Sequence, residues 1–132
     1  MAGYLKQTEQ QRKYLTDTRR HLHRHPELSM KEHETADFIR SELTGSGVPW
    51  KRIGETGTLG WIDTGKPGKI IVLRADIDAL PMEEKTDVPW RSVNSGVMHA
   101  CGHDIHTASL LGTAKILSGM KEKLSGRVMF VF

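Results

Sequence analysis

The chain has 132 residues, of which 37% are hydrophobic and 27% are charged, a composition typical of globular proteins rather than disordered or fibrous ones. At this length one hydrophobic core can form but two ordinary domains cannot, and no apolar run is long enough to cross a membrane, so we expect no membrane partner. The formal net charge of +3 comes from basic residues interleaved with acids, and no nucleic-acid recognition motif is visible, so we expect no nucleic-acid partner.

The first segment is polar and predicts a surface helix. Residues 1–15 contain no apolar stretch that could serve as a secretory signal, which favours a location in the cytoplasm. Over residues 4–23 the side chains are long and polar, apart from a stripe that contains Leu15 and Leu22. We expect Pro26 to end this helix, because proline has no backbone N–H to donate and restricts the residue before it.

A second helix is predicted to begin at Ser29. Ser29 and Glu32 have the S-x-x-E spacing of a capping box, in which each side chain accepts a hydrogen bond from the other residue's backbone N–H. Apolar residues then recur on one face until Gly45, which is a natural helix terminator.

Three strands are predicted next, over residues 48–53, 58–64 and 69–75. The turn-forming residues 64–68 separate the second strand from the third, so we expect these two strands to pair in a hairpin. Residues 70–73 are apolar without alternation, which is typical of a strand covered on both faces, as in an α/β sheet.

The remainder consists of an irregular segment, a helix and a strand. Residues 76–103 show no periodicity, and so long a structureless stretch in a compact domain is usually functional. Residues 105–117 predict a helix ended by Gly119, and residues 128–132 predict a strongly apolar strand. We therefore expect an α/β fold with part of a mixed, mostly parallel sheet flanked by helices. Because a free terminus is rarely so apolar, we expect that the chain is truncated within this sheet.

Residues 99–106 carry the strongest chemical signal. They contain three histidines, an aspartate and Cys101, the only cysteine of the chain, which excludes an internal disulfide. Thiolate and imidazole are ligands that zinc accepts, and Gly102 lets the backbone turn so that Cys101 and His103 can converge on one ion. A buried cysteine among ordinary histidines is the alternative, but the clustering favours metal binding. A complete site needs more ligands than these two, so others must come from elsewhere.

Two carboxylates follow the third predicted strand. Asp76 and Asp78 lie just past its end, which is where ligands bind in open α/β sheets. Either carboxylate could orient a ligand histidine, tune a metal-bound water or bind metal directly. They could equally be turn residues, one of them paired with Arg74.

Two other interpretations of the polar residues carry less weight. A nucleophilic cysteine is the main competitor, because His99 and His103 lie close to Cys101, although such a nucleophile usually finds its base across the fold. Residues 21–25 contain three histidines that fan around a helix, so they cannot gather on one metal ion. We interpret them mainly as cations that complement the end of a helix dipole.

Three runs of sequence together resemble a known family. Residues 19–29 (RRHLHRHPELS), 73–81 (LRADIDALP) and 98–107 (MHACGHDIHT) are similar, in this order, to the N-terminal part of the dinuclear metal-dependent amidohydrolases. That family includes hippurate hydrolase, N-acyl-amino-acid deacylases and auxin-conjugate hydrolases, and it is related to carboxypeptidases. The resemblance implies a dinuclear zinc-peptidase-like catalytic domain in which Cys101 and His103 are metal ligands.

The resemblance also implies a catalytic role for Asp76. This residue matches a position that supports the metal site in the wider family, two residues after a ligand histidine that is Arg74 here. Two divalent cations, zinc or manganese, are the implied cofactors. The implied reaction is hydrolysis of the amide bond in a small N-acyl amino acid or peptide-like substrate, with the complete protein a homo-oligomer.

The same resemblance places the rest of the active site after Phe132. We expect the general-base glutamate, the remaining metal ligands and a lid or dimerisation domain there. Residues 1–132 are then the N-terminal part of the catalytic domain and contain no second domain. We expect that these residues alone are not catalytically competent. A stand-alone metal-binding or interaction module is the alternative. The resemblance assigns no role to Asp78, His99, Asp104 or His106.

Overall fold

The computed structural model describes residues 2–132, which form four α-helices and a four-stranded sheet. The helices are α1 (Ala2–Gln10), α2 (Arg12–Arg24), α3 (His33–Gly45) and α4 (His103–Ser118), and the strands are β1 (Trp50–Ile53), β2 (Gly57–Asp63), β3 (Ile70–Arg74) and β4 (Arg127–Val131). A 3₁₀ turn, Lys121–Lys123, precedes β4. Among these helices none is both long and apolar enough to cross a membrane.

The predicted first helix is divided in two. Helices α1 and α2 meet at Gln11, whose backbone (φ −89°, ψ 0°) departs from the α-helical values. The hydrogen bonds nevertheless run on across this residue, since the Gln11 N–H donates to Thr8 O (3.0 Å) and the Leu15 N–H donates to Gln11 O (2.8 Å). Helix α2 ends at Arg24, two residues before Pro26, as the sequence predicts.

The predicted capping box at Ser29 is wrong. Helix α3 begins at His33, and Glu27 supplies the capping carboxylate, which accepts hydrogen bonds from the backbone N–H groups of Glu34 (3.1 Å) and Thr35 (2.7 Å). Leu28 is already held in a bridge to Ala79 of the irregular segment, so the chain is extended before the helix starts. The predicted end of this helix at residue 45 is confirmed.

The strands form one mixed sheet in the order β1-β2-β4-β3, with β3 parallel to β4 and the other two pairs antiparallel. The predicted hairpin between β2 and β3 is wrong, because β4 lies between them. Residues 64–68 instead pass the start of β4: the Thr64 hydroxyl donates to Gly126 O (2.7 Å), and the Gly126 N–H donates to Lys66 O (3.0 Å).

The hydrophobic core lies between one face of the sheet and helices α3 and α4. Phe130 of β4 is fully buried, and it pairs with Gly60 of β2. A Cβ at Gly60 would lie only 3.2 Å from Leu43 Cδ1, so this glycine lets α3 approach the sheet closely. The other buried members of the core are Ile39, Val48, Ile62, Ala75, Ile77, Leu110, Leu111, Ala114, Val128 and Phe132.

Strand β3 is not covered on both faces within residues 2–132. Ile70, Ile71 and Val72 are 62%, 53% and 57% exposed. The strand itself is confirmed, but it lies at the edge of the described sheet and pairs with β4 alone, while α3 packs over β1 and β2. Within residues 2–132, no second layer covers its apolar run.

Candidate metal centre

The end of β3 and the beginning of α4 bring two of the predicted segments together. Asp76 follows β3 by two residues, and His103 is the first residue of α4. The Thr107 hydroxyl, one turn into α4, donates to the backbone oxygen of Asp76 (3.0 Å), which ties the helix to the segment after the strand. Side chains from these two distant stretches of sequence therefore share one edge of the sheet.

Three side chains at this edge form a group of metal-binding type, which we call the Asp76 group: Asp76, His103 and His106. One donor atom from each lies within 4.8 Å of the others. Asp76 and His103 are half-buried and His106 is exposed, so the group opens to solvent. One carboxylate and two imidazoles are donors that zinc and manganese accept, so the residues present fit a divalent cation.

The orientation of His103 also fits a metal ligand. Its Nδ1 lies 2.9 Å from Asp78 Oδ1 and 3.0 Å from Asp78 O, and both of these atoms are acceptors. The Nδ1–H therefore donates to Asp78, which leaves Nε2 with its lone pair free, 3.8 Å from Asp76 Oδ2. Metal-binding histidines commonly donate their second N–H to a carboxylate in this way.

Arg74 contacts the other oxygen of Asp76. Its Nη2 lies 2.5 Å from Asp76 Oδ1, so the pairing with Arg74 that the sequence suggested for one of the aspartates is present. This contact leaves Asp76 Oδ2 directed toward His103. An open groove of about 430 Å³ adjoins Arg74, Asp76 and His106, and it offers space for a small molecule beside the Asp76 group.

Cys101 lies outside the Asp76 group. It is exposed and free, and it is separated from His103 by Gly102, whose backbone is left-handed (φ +90°) and which caps α4. The structure thus brings two of the three predicted site residues, Asp76 and His103, close to each other. A metal-binding role for Cys101 stays a prediction from the sequence.

A buried network of polar and charged side chains that no sequence motif marks lies behind this edge. His23 Nδ1 lies 2.8 Å from Asp104 Oδ2 and His23 Nε2 lies 3.0 Å from Glu84 Oε1, and the Arg19 Nε–H donates to the same Asp104 oxygen (2.8 Å). His23 is therefore more than a cation at a helix end. Of the other histidines in residues 21–25, His21 stacks on Phe38 of α3, and its ring centroid lies 4.6 Å from that of His25.

Two pKa shifts accompany this network. Burial raises the pKa of Glu84, but hydrogen bonds from the Ser92 N–H, the Thr86 hydroxyl and His23 outweigh that effect and lower it to about 2. Burial lowers the pKa of His99 to about 4. Both ring nitrogens of this histidine are without a hydrogen-bond partner among the described residues.

Comparison with known proteins shows which family the chain resembles. Residues 72–132 match the model of Peptidase family M20/M25/M40. Over 115 residues, 86% of its length, the chain is 46% identical to an N-acyl-L-amino acid amidohydrolase of Geobacillus stearothermophilus. This part of the chain is therefore similar to the M20 family. An N-acetyl-L-cysteine deacetylase of Bacillus subtilis is 47% identical to the chain over 121 residues, 91% of the length of the chain.

A solved M20 structure has the same fold. The dinuclear metal-binding M20 peptidase YxeP of Bacillus subtilis superposes with a TM-score of 0.87 and is 44% identical over 91% of this chain. The chain spans about a third of the length of these M20 proteins: 34% of the peptidase, 31% of the amidohydrolase and 29% of the deacetylase. The resemblance inferred from the sequence motifs, to the N-terminal part of this family, is confirmed.

Two residues to which the motif resemblance assigns no role lie in or beside the Asp76 group, although the sequence left Asp78 as one of two carboxylates that could orient a ligand histidine. His106 joins the Asp76 group because it lies three residues after His103, one turn along the same helix face. Asp78 orients His103. Both residues lie inside the motifs. If the helix is predicted to start at residue 103, the spacing of three residues places His106 on the same face as His103.

Proposed function

We propose that the protein is a metal-dependent amidohydrolase that cleaves the amide bond of N-acyl amino acids or related small conjugates. In this proposal the present chain supplies one part of a dinuclear metal site. The observation that carries it is the arrangement of His103, whose Nδ1–H is held by Asp78 while Nε2 faces Asp76. The names of the relatives support the substrate class.

The proposed roles of Cys101, His103 and Asp76 come from the family resemblance, and those of His106 and Asp78 from the position of their side chains. Cys101 and His103 are the proposed metal ligands, Asp76 supports the site in catalysis, and His106 is placed to add a third donor. Asp78 holds the ring of His103 in one orientation. When bound, the two ions supply Lewis-acid activation of water and of the scissile carbonyl.

Proton transfer is proposed to lie outside these residues. By the resemblance, the general-base glutamate follows Phe132, so the chain is assigned metal binding and orientation of its ligands. Zinc or manganese as the metal, the cytoplasm as the compartment, a homo-oligomer as the complete assembly and the absence of membrane and nucleic-acid partners stay predictions from the sequence.

A chimera tests this proposal without further knowledge of the protein. In the Geobacillus stearothermophilus amidohydrolase, the matched region, 31% of its length, is replaced by this chain. We expect the chimera to release amino acids from N-acetyl amino acids with zinc or manganese present. Chelation should abolish the activity, and added metal should restore it.

Single substitutions in the chimera assign the activity to the proposed site. His103→Ala and Cys101→Ala should each abolish turnover, whereas His33→Ala, at an exposed position on α3, should leave it unchanged. A chimera that stays active with His103→Ala contradicts the proposal. Inactivation by iodoacetamide without sensitivity to chelators would favour the nucleophilic-cysteine interpretation instead.

A further inference from the structure

His23 occupies a buried position between two carboxylates. Its side chain is 5% exposed, and those of Asp104 and Glu84 are 1% and 2% exposed. Its Nδ1 faces Asp104 Oδ2 (2.8 Å) and Arg19 Nη2 (3.3 Å), and its Nε2 faces Glu84 Oε1 (3.0 Å). Arg19 also forms an ion pair with Asp104.

The network connects three separate parts of the fold. His23 belongs to α2, Asp104 lies in the first turn of α4, and Glu84 belongs to the irregular segment between β3 and α4. Glu84 is itself fixed by hydrogen bonds from the backbone N–H of Ser92 (2.5 Å) and from the hydroxyl of Thr86. The imidazole of His23 thus joins the helix to the segment that precedes it.

Asp104 links the network around His23 to the metal centre. It directly follows His103, and its Oδ1 accepts a hydrogen bond from the Ile105 N–H (3.0 Å) at the start of the helix. The second partner of His103 is Asp78, which lies in the same irregular segment as Glu84. The helix turn that carries His103 and the segment that orients its ring are therefore held together through His23.

We propose that His23 is a positioning residue, which fixes the N-terminal turn of α4 against the irregular segment through Asp104 and Glu84 and so sets the place of His103 in the Asp76 group. The metal-binding part of the test rests on the proposed function. The hydrogen-exchange part of the test does not rest on the proposed function, because it measures the first turn of α4 itself.

The substitution His23→Gln tests the proposal with Co²⁺ as the probe. A glutamine amide can donate to one carboxylate, but its oxygen then faces the other, so the link between Asp104 and Glu84 is broken. We expect Co²⁺ to bind the chain 10–100-fold more weakly, as for losses of groups that orient metal ligands, with a changed cobalt absorption spectrum and a melting temperature close to that of the unaltered chain. His33→Gln, the same change at an exposed histidine, should have no effect.

Amide hydrogen exchange provides a readout independent of metal. The N–H groups of Ile105 and His106 both donate to Gly102 O (3.0 and 3.1 Å) in the first turn of α4. In His23→Gln we expect these amides to exchange faster while the amides of β2 and β4 keep their protection. Should His23→Gln fail to fold, Glu84→Gln, which keeps the shape of the side chain, takes its place.

Each outcome of these measurements is decisive. Unchanged Co²⁺ affinity together with unchanged exchange in α4 overturns the proposal. Faster exchange throughout the chain with a lower melting temperature also overturns it, because the network is then a general stabiliser. If the unaltered chain binds no Co²⁺, the proposed metal site fails, and the exchange of Ile105 and His106 alone decides whether His23 positions this turn.

Discussion

The chemistry of the candidate centre depends on single atoms. Asp78 accepts a hydrogen bond from one nitrogen of His103 and thereby leaves the other free beside Asp76. The sequence offers the role of orienting a ligand histidine to either aspartate, because both follow the same strand and are two residues apart. The distinction between an orienting carboxylate and a supporting one comes from the path of the chain after β3.

The left-handed backbone of Gly102 leads to a prediction about stability. Its φ of +90° is a left-handed conformation that costs a residue with a Cβ about 1–2 kcal/mol. Gly102→Ala should lower the free energy of unfolding by about that amount in urea titrations. Gly45→Ala, at the end of α3 where a Cβ would meet no atom within 4 Å, is the matched control and should be neutral or slightly stabilising. Equal losses in both variants would contradict this explanation.

Because the pKa of Glu84 is lowered in the folded chain, we expect the stability of the chain to depend on pH. Its pKa of about 2 in the folded chain lies below the ordinary 4.5, so the fold favours the ionised carboxylate. This contribution is complete above pH 4.5 and is lost as the pH falls toward about 2. Glu84→Gln should remove part of the decline in unfolding free energy over this range, as followed by urea unfolding at stepped pH.

The control for this experiment is Glu55→Gln. Glu55 is exposed, and only its backbone oxygen accepts a hydrogen bond, from Arg40. Its substitution should leave the acid dependence of stability unchanged. A decline in Glu84→Gln as steep as that of the unaltered chain would show that another group is responsible.

At the scale of elements, local signals predicted most helices and strands, and contacts distant in sequence explain the errors. The S-x-x-E pattern at Ser29 is a genuine local signal, yet the bridge from Leu28 to Ala79 keeps this stretch extended and leaves Glu27 to cap the helix. The expected hairpin failed for a similar reason. Residues 64–68 do turn, but strand β4, at the end of the chain, inserts between the two strands that they connect.

The two edges of the sheet differ, which leads to a prediction about β3. Strand β1 carries Lys51 and Arg52 on its exposed edge, whereas β3 presents an apolar run. An unprotected apolar edge strand favours pairing between chains. We expect concentration-dependent self-association in sedimentation velocity, reduced by Ile70→Lys and unaffected by Ile53→Lys at the other edge. Identical behaviour of the two variants would exclude β3 as the contact.

At the scale of the whole molecule, the motifs predicted the family resemblance and named candidate site residues, but they did not predict the buried network around His23. Asp76 and His103 were identified because they stand in short recognisable runs. His23 lies 61 residues from Glu84 and 81 from Asp104, and Glu84 stands in a segment without periodicity, so no local pattern marks their contact. A buried ion network of this kind becomes visible only once the helices are packed.

The most direct test of Cys101 and His103 as metal ligands is a Co²⁺ titration of the chain, followed by absorption spectroscopy. We expect binding with a thiolate-to-cobalt charge-transfer band, loss of that band in Cys101→Ser, and strongly weakened binding in His103→Ala. His33→Ala should bind as the unaltered chain does. Binding that persists unchanged in both Cys101→Ser and His103→Ala would contradict the assignment of these residues as metal ligands.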